Sequence, residues 1–316
     1  MSKGRLKHDF RRPLFQAAQP SKIACSPSNQ TFRRHRRISW IDESNALTVL
    51  PKPTRDTHSS IIDRRSTIPS AKLIQKLKPA LQNQLPPEQD GILLCLDSDN
   101  VTGENAKYMK MYNRLARWYD FGERWIARLR YGNSINEMRR SLMGELEWRQ
   151  DCTALYVSIG TGTDLNHLPA DIDPAALDLT GADLSLGMLE RCRNVWRKKA
   201  AGLDLVHCNA EDLPFADNMF DVVFHVGGIN FFSDKQKAIT EMLRVAKPGT
   251  KIMIADETTD FIQQQYKKSL FTRNYFQDTD FDLTQIENCI PETVQEKKTR
   301  LLWDNRFYCI TFRKPV

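Results

Sequence analysis

The sequence contains no C-x-x-C pair, and its seven cysteines are scattered over 316 residues. Structural zinc sites need cysteines and histidines at short spacing, so the pattern excludes a zinc module and favours a reducing compartment. Long apolar runs are also missing. None approaches the roughly 18 residues that span a bilayer, and residues 1–30 lack the apolar centre of a secretory signal. We therefore expect an intracellular, soluble and cytoplasmic protein without a metal.

Acidic residues are scarce in the first part of the chain. Residues 1–90 hold 17 Lys/Arg against 7 Asp/Glu, whereas the remainder holds 29 against 32, so the net charge of +7 belongs to the front. No acid occurs from Phe10 to Ile41, a stretch that includes "RRHRR". This composition predicts a basic, low-complexity and mostly disordered extension over residues 1–104. A mitochondrial or other organelle transit peptide, a nuclear-import signal and a solvated tail all remain open.

Regular patterning fills residues 105–316, which we interpret as one domain. Apolar residues recur at helical spacing from Tyr108 to Tyr119, and strand-like and helix-like stretches then alternate. This order predicts an α/β fold, with a Rossmann-like parallel sheet, helices on both faces and a C-terminal antiparallel hairpin. The predicted strands are 154–159, 176–183, 203–208, 221–226 and 251–256, the helices between them are 185–200 and 234–246, and the hairpin is 294–314. Ser185 is a candidate N-cap, and Ser233 with Gln236 fits a capping box.

Two glycines lie one residue apart in "VSIGTGTDLNHL", directly after the first predicted strand. A turn without side chains lets a ligand approach the main chain. The dinucleotide pattern G-x-G-x-x-G requires a third glycine where this chain has Leu165, which disfavours a pyrophosphate. Asp183 ends the next strand, where a carboxylate accepts hydrogen bonds from both hydroxyls of a ribose. That spacing serves NAD and a smaller adenosyl ligand equally.

Two later segments narrow the choice of ligand. In "CNAEDLPF" the side chain of Asn209 and the main-chain amide of Ala210 are placed to pair with an adenine edge. In "DVVFHVGGINFF" the fourth strand ends in small and aromatic residues beside the expected reacting centre. His225 lies in this segment and is a candidate general base, although a lone histidine in an apolar strand is more often an interior residue.

The segments "VSIGTGTDLNHL", "TGADLSLGML", "CNAEDLPFADNMFDVVFHVGGINFF" and "EMLRVAKPGTKIMIADE" together resemble the ordered motifs of class I S-adenosylmethionine-dependent methyltransferases. They are most similar to the small-molecule branch that includes the ubiquinone and menaquinone biosynthesis type, and the resemblance covers roughly residues 107–316. It implies S-adenosylmethionine as cofactor. The cofactor-binding residues that it implies are Ser158, Gly160, Thr161, Gly162, Asp164, Asp183, Leu184, Met188, Asn209, Ala210, Glu211, His225 and Val226. The implied substrate-pocket residues are Tyr119, Gly227, Asn230 and Phe231.

The chain departs from that family at two positions of the glycine turn. The acidic residue that usually precedes the first glycine by two positions, and contacts the methionine amino group, is Ser158 here. The third loop glycine is Asp164, which either supplies the missing carboxylate or caps the helix that follows. The adenine-binding aspartate of the family is Asn209, whose amide oxygen still accepts a hydrogen bond.

The resemblance implies in-line transfer of the sulfonium methyl to an oxygen, carbon or nitrogen nucleophile. The Asn/Asp-Pro-Pro-aromatic motif of amino-methylating nucleic-acid enzymes is missing after the fourth strand, and no Pro-Cys dipeptide occurs. A nucleic-acid acceptor is therefore disfavoured, and a quinol, phenol, lipid or amine is expected. Three alternatives stay open: methylation of RNA or protein aided by the basic arm, a non-catalytic adenosyl-binding protein, and a nicotinamide oxidoreductase.

Overall fold

The computed structural model describes residues 69–96, 101–121, 132–200, 202–265 and 283–316, with the side chains of 114–121 and 263–265 excepted. These residues all belong to one compact unit, Ser60–Val316. The predictions for residues 1–68, including the basic cluster Arg33–Arg37, lie outside the described residues.

One sheet organises the described part of the chain. Its strands are β1 (Glu88–Gln89), β2 (Ile92–Leu94), β3 (Thr153–Val157), β4 (Asp178–Asp183), β5 (Asp204–His207), β6 (Val222–Val226), β7 (Lys251–Glu257), β8 (Gln295–Leu302) and β9 (Phe307–Arg313). They lie in the order β1-β2-β5-β4-β3-β6-β7-β9-β8. The strands from β2 to β7 are parallel, whereas β1, β9 and β8 are antiparallel to their neighbours. The predicted Rossmann-like sheet and its C-terminal hairpin are confirmed.

The helices connect these strands. They are α1 (Ala71–Lys76), α2 (Pro79–Asn83), α3 (Gly103–Phe121), α4 (Ser134–Met143), α5 (Leu186–Trp196), α6 (Lys235–Val245), α7 (Thr259–Gln265) and α8 (Leu283–Asn288). Two 3₁₀ turns, Thr163–His167 and Ile229–Phe231, follow β3 and β6. The turn after β3 is the only helical element between β3 and β4, all of whose connecting residues the structure describes.

The core lies on both faces of the sheet. Along β3, Leu155 and Val157 belong to a cluster that includes residues of α1, α6 and α8. Ala154 and Tyr156 point the other way, into a cluster with residues of α4 and α5. Because strand residues alternate between faces, a strand that is buried on both sides reads as the continuous apolar run seen in the sequence.

One of the two predicted helix N-caps is confirmed, and the other is wrong. Ser185 caps α5, and its hydroxyl accepts from the Met188 N–H. The predicted Ser233 cap of α6 is wrong, because Asp234 takes that role and accepts from Lys237 N at 2.9 Å. The Ser233 hydroxyl instead accepts from Asn105 N at 3.2 Å.

Residues 69–96 differ from the expectation of disorder. β2 extends the parallel sheet beyond β5, with Leu93 paired to Val206. Leu77 on this segment is fully buried in the core. These elements are too short for hydrophobic periodicity to be read from sequence, since that signal needs windows of 11–18 residues. The folded unit therefore includes residues that composition assigned to the extension.

Lys76 joins this segment to the sheet, and its replacement is expected to destabilise the protein. Its ammonium donates to Asp178 at 2.6 Å and Thr180 at 2.9 Å while only 3% of the residue is exposed. Lys76→Met keeps the apolar stem but removes the charge, so we expect a loss of about 2 kcal/mol in unfolding free energy. This is less than the 3–5 kcal/mol of a fully buried pair, since Asp178 stays partly hydrated.

Urea denaturation measures this loss directly. Lys78→Ala is the matched control, because Lys78 forms an exposed ion pair with Asp212, and such pairs contribute about 0–1 kcal/mol. Equal unfolding free energies for the two variants would contradict a structural role for Lys76.

Candidate functional site

A cavity lies where β3, β4 and β5 end at their carboxyl edge. Ligands of open parallel sheets bind at this edge, where adjacent strands lead into loops. The cavity is lined by Asn105, Val157, Ser158, Ala182, Asp183, Leu184, Cys208, Asn209, Ala210 and Phe232. Five of these were expected from the sequence: Ser158, Asp183, Leu184, Asn209 and Ala210.

Asp183 is the last residue of β4. Among the described residues, it is the one acidic residue that lines the cavity. One carboxylate oxygen accepts from Gly160 N at 2.8 Å, and the other accepts from Ser185 N at 2.8 Å. Burial raises the pKa of this carboxyl to about 6, although backbone hydrogen bonds from Ser185, Gly160 and Leu184 oppose the shift. A carboxylate has four lone-pair sites, so this one can still accept from a ligand.

The two glycines of the turn have different surroundings. Both adopt positive φ, +55° at Gly160 and +75° at Gly162. A Cβ at Gly160 would meet no atom within 4 Å, whereas one at Gly162 would lie 2.6 Å from Nε1 of Trp196. The Trp196 indole donates to the Thr161 carbonyl at 3.2 Å, and Thr161 is itself buried. Gly160 therefore faces open space beside Asp183, while Thr161 and Gly162 pack against α5.

Asp164 has neither of the roles that the sequence left open. Its carboxylate accepts from Arg139 Nη1 and from the Tyr156 hydroxyl, both at 2.5 Å, and only 3% of the residue is exposed. The 3₁₀ turn directs the side chain toward α4 and away from the cavity. Asp164 thus anchors the glycine turn from behind instead of offering a carboxylate to a ligand.

Ser158 and Asn209 lie on opposite sides of the cavity. Ser158 adopts φ of +57°, a left-handed conformation that is uncommon outside glycine and concentrates at functional sites. The Asn209 side-chain oxygen accepts from Glu211 N at 3.0 Å, which fixes the side chain. That oxygen keeps a second lone pair for a ligand, as the sequence interpretation requires.

Eight residues expected at the cofactor are not part of the cavity wall: Gly160, Thr161, Gly162, Asp164, Met188, Glu211, His225 and Val226. Met188 is buried in the first turn of α5, and Val226 packs in the core. Glu211 is buried behind the wall, where its carboxylate accepts from Asn105 Nδ2 at 2.8 Å and from Asp234 N at 2.9 Å. Glu211 therefore acts on the cavity through Asn105.

His225 is not arranged to act as a base. Its Nε2 accepts from the Ile229 N–H at 2.9 Å, which requires this nitrogen to be unprotonated. Nδ1 therefore carries the proton and donates to the Val157 carbonyl at 3.1 Å. Burial lowers the pKa of this fully buried imidazole to about 4. Since both ring nitrogens bond to the main chain, the geometry assigns His225 to the frame of the site.

Asp256, which the sequence did not single out, organises the loop after β6. One of its oxygens accepts from Gly228 N and Asn230 N, both at 3.0 Å, and the other accepts from Glu257 N at 2.8 Å. Burial raises the pKa of Asp256 to about 6. The Asn230 side chain bonds inward to the Glu257 carbonyl and the Tyr308 hydroxyl. Asn230, a predicted substrate-pocket residue, is thus 2% exposed and supports the loop.

The remaining predicted pocket residues lie on two sides of this loop. Gly227 adopts φ of +80°, and a Cβ there would meet open space. The Phe231 ring packs on Tyr108 of α3 with ring centroids 4.6 Å apart, in a small cluster with Met111 and Ile262. Tyr119 lies in the last turn of α3, but its side chain falls outside the described residues.

Five wall residues lie outside the predicted cofactor-binding set, although Phe232 belongs to the aromatic end of "DVVFHVGGINFF", which was expected beside the reacting centre. Val157, Ala182 and Cys208 stand at strand ends next to predicted residues, so the strand-end rule predicts them once the strands are placed. Phe232 and Asn105 come from loops and helices, and the Asn105–Glu211 hydrogen bond spans 106 residues of chain. No local pattern in the sequence encodes such a contact.

The described ranges offer neither a metal-binding cluster nor a membrane-spanning helix. There, no group of three or more His, Cys, Asp or Glu side chains is arranged to hold a metal ion. None of the helices described combines the length and the apolar character needed to cross a bilayer. The six described cysteines are present as thiols.

The central part of the chain is similar to known proteins. Residues 155–254, from β3 to β7, match a family described as a methyltransferase domain. A demethylmenaquinone methyltransferase of Renibacterium salmoninarum is 41% identical over 102 residues, which cover 32% of this chain and 40% of that protein. A ubiquinone/menaquinone biosynthesis C-methyltransferase of Geotalea daltonii is 29% identical over 161 residues, which cover 50% of this chain and 66% of that protein. The chain thus spans less than two thirds of these curated relatives.

A solved structure shares the fold. It is phosphoethanolamine N-methyltransferase 2 of Haemonchus contortus in complex with S-adenosyl-L-methionine, with a TM-score of 0.51 and 17% identity. The alignment covers 69% of this chain and 61% of that one. At this identity the likeness establishes the architecture alone.

Proposed function

We propose that this chain, whose residues 155–254 form a methyltransferase domain, transfers a methyl group from S-adenosylmethionine to a small molecule. The observation that carries the proposal is the Asp183 carboxylate at the cavity wall, held by the amides of Gly160 and Ser185. This arrangement leaves the carboxylate able to accept from the hydroxyls of a ribose, directly beside a turn without side chains.

The cavity residues fit the adenosyl half of such a donor. Asp183 would accept from the ribose, and Asn209 with the Ala210 amide would meet the adenine edge. Open space at Gly160 and Gly227 gives room for the ligand along the strand tips. The methionyl end would meet Ser158 and Asn105, because Asp164 is turned away into its ion pair with Arg139.

The donor supplies a methyl group that its positively charged sulfur already activates. The protein therefore needs mainly to align the acceptor with that methyl, and orientation contributes up to about 7–11 kcal/mol in favourable cases. Aromatic rings near the strand ends, Phe231 and Phe232, would attract a sulfonium by about 0.5–2 kcal/mol each where they face it. Both ring nitrogens of His225 bond to the main chain, so His225 is not available as a base. The acceptor would therefore lose its proton to solvent.

The acceptor that we propose is a hydroxylated aromatic ring of the quinol type. The names of the two curated relatives refer to menaquinone and ubiquinone chemistry. The cluster of Tyr108, Met111, Phe231 and Ile262 offers an apolar and aromatic surface next to the loop after β6. A ring that is acidic enough to ionise in water would need no protein base.

Transfer of an isotopically labelled methyl group tests this proposal. The protein is incubated with labelled S-adenosylmethionine and, separately, with demethylmenaquinol, a simple phenol, RNA and a protein mixture, and the products are analysed by mass spectrometry. We expect label on the quinol. Label on RNA or protein would favour the alternative acceptors, and binding without transfer would favour a non-catalytic adenosyl protein. Stabilisation by NADH but not by S-adenosylmethionine would overturn the assignment.

Ligand affinity is expected to depend on pH through Asp183. The ribose hydroxyls donate to the ionised carboxylate, so protonation removes their acceptor. Because burial raises the pKa of this group to about 6, affinity should be constant above pH 7 and fall by about tenfold per pH unit below 6. Calorimetric titration with S-adenosylhomocysteine between pH 5 and 8 measures this profile. The Asp183→Asn variant should bind weakly at every pH, and a flat wild-type profile would contradict the ribose contact.

A further inference from the structure

Asn105 lies in the first turn of α3 and faces the cavity, although 95% of the residue is covered. Its side chain joins three separate segments. Nδ2 donates to Glu211 at 2.8 Å in the loop after β5, and Oδ1 accepts from Ser233 N at 3.1 Å in the loop before α6. The Asn105 main-chain amide also donates to the Ser233 hydroxyl at 3.2 Å.

The Glu211 end of this network is equally buried. Its Oε1 accepts from both Asn105 Nδ2 and Asp234 N, and 9% of the residue is exposed. A buried carboxylate that loses a donor pays a desolvation cost, so the Asn105 bond is worth more than an exposed one. The residues joined here flank Phe232, which is itself part of the cavity wall.

The other part of α3 is anchored on the far side of the cavity. Asn113 Oδ1 accepts from the Ser185 hydroxyl at 2.6 Å and from Gly187 N at 3.1 Å, at the start of α5. Eight residues separate Asn105 from Asn113, which is about 12 Å along a helix. α3 therefore bridges from the loop before α6 to the start of α5, across the carboxyl edge of the sheet.

We propose that Asn105 is a positioning residue that closes α3 over the cavity, so that a bound ligand leaves only when the Asn105 bonds to Glu211 and Ser233 open. The identity of the ligand rests on the proposed function; the closure itself rests on the contacts. We therefore expect this network to affect the rate of ligand release more than the rate of methyl transfer.

Stopped-flow measurement of S-adenosylhomocysteine release tests the proposal. Asn105→Ala should release the ligand at least about tenfold faster, since a hydrogen bond to a charged group contributes about 1.5–3 kcal/mol. Asn105→Asp should release it at least as fast, because it sets a carboxylate against Glu211. Glu211→Gln keeps an Oε1 acceptor for both the Asn105 and the Asp234 donors, so it should release the ligand more slowly than N105A.

Asn133→Ala is the matched control, because Asn133 also lies at a helix start and donates to a glutamate, Glu137, but in an exposed position. Its release rate should equal that of wild type. Hydrogen exchange of the Ser233 amide gives a readout without ligand, and it should be faster in N105A than in N133A.

The outcomes separate this proposal from the proposed function. Wild-type protein that binds neither S-adenosylmethionine nor its demethylated product would overturn the proposed function and the role in ligand release. Binding by wild type together with unchanged release in N105A, or a Glu211→Gln variant that releases as fast as N105A, would overturn only the closure.

Discussion

Replacement of Asp183 by asparagine is expected to weaken S-adenosylhomocysteine binding by about 100-fold or more. Two hydroxyl donors lose a charged acceptor, and each such bond contributes about 1.5–3 kcal/mol. The asparagine also has one amide nitrogen where the carboxylate has an oxygen. One of the two main-chain amides that Asp183 now accepts from, Gly160 N or Ser185 N, would then face a donor. The variant therefore loses both the ligand contact and part of the support of the turn.

The fold should tolerate this change. The pKa of Asp183 is raised on folding, so above pH 6 its ionised form costs folding free energy, and an uncharged side chain removes that cost. We expect the melting temperature at pH 7.5 to change little while the calorimetric dissociation constant rises steeply. A large loss of both melting temperature and affinity would mean that Asp183 has a structural role.

Asp173→Asn provides the control for this experiment. Asp173 is exposed, and its carboxylate accepts from the amide two residues later, Ala175 N at 2.9 Å, as Asp183 does from Ser185. The two substitutions are chemically identical and share this local turn, but Asp173 is not part of the described cavity wall. Equal affinities in the two variants would exclude a ligand contact at Asp183.

The sequence predicts the sheet because its signals are local. Leu155 and Val157 on one face and Tyr156 on the other make β3 continuously apolar, and Ser185 caps the helix after β4 through its own neighbours. The residues at strand ends follow from this, which explains why Asp183 was found. A ligand cavity at the carboxyl edge needs only the order of the elements.

The rest of the site depends on contacts that no local pattern records. Asn105 meets Glu211, and Asp256 meets Gly228, across long stretches of chain. Asp164 was placed correctly beside the glycine turn, but the direction of its side chain depends on Arg139 of another helix. His225 was expected near the reacting centre, and the main chain takes both of its ring nitrogens. The sequence thus predicts which residues lie at strand ends. It does not predict the hydrogen-bond partner of a polar side chain, because that partner depends on the tertiary structure.

The short N-terminal elements escaped prediction for a related reason. β2 has three residues and α1 has six, so neither displays enough periodicity to stand out from a polar, basic background. They form because the sheet offers an open strand edge at β5 and a buried site for Leu77 and Lys76. The polar, basic composition of the surrounding residues predicts disorder. This segment is nevertheless ordered, because it packs on the sheet of the domain.

Alanine at the two turn glycines is expected to have different effects: Gly162→Ala should mainly reduce stability, and Gly160→Ala should mainly reduce ligand affinity. Gly162→Ala places a Cβ 2.6 Å from the Trp196 ring and 3.2 Å from the Cys192 sulfur, at a φ of +75°. Overpacking costs about 1–3 kcal/mol and the left-handed backbone about 1–2 kcal/mol, so unfolding free energy should fall by about 2–5 kcal/mol. Trp196 has little room to move, because it is 2% exposed and its indole is bonded to the Thr161 carbonyl.

Gly160→Ala should mainly affect the ligand. Its Cβ meets no protein atom within 4 Å, so only the backbone term of about 1–2 kcal/mol applies to stability. The methyl group occupies the space beside Asp183 that an adenosyl ligand needs, and affinity for S-adenosylhomocysteine should fall by at least about tenfold. Urea denaturation and calorimetry on both variants measure the two effects. Similar stability losses would contradict the packing of Gly162 against Trp196, and unchanged affinity in Gly160→Ala would mean that no ligand lies along this turn.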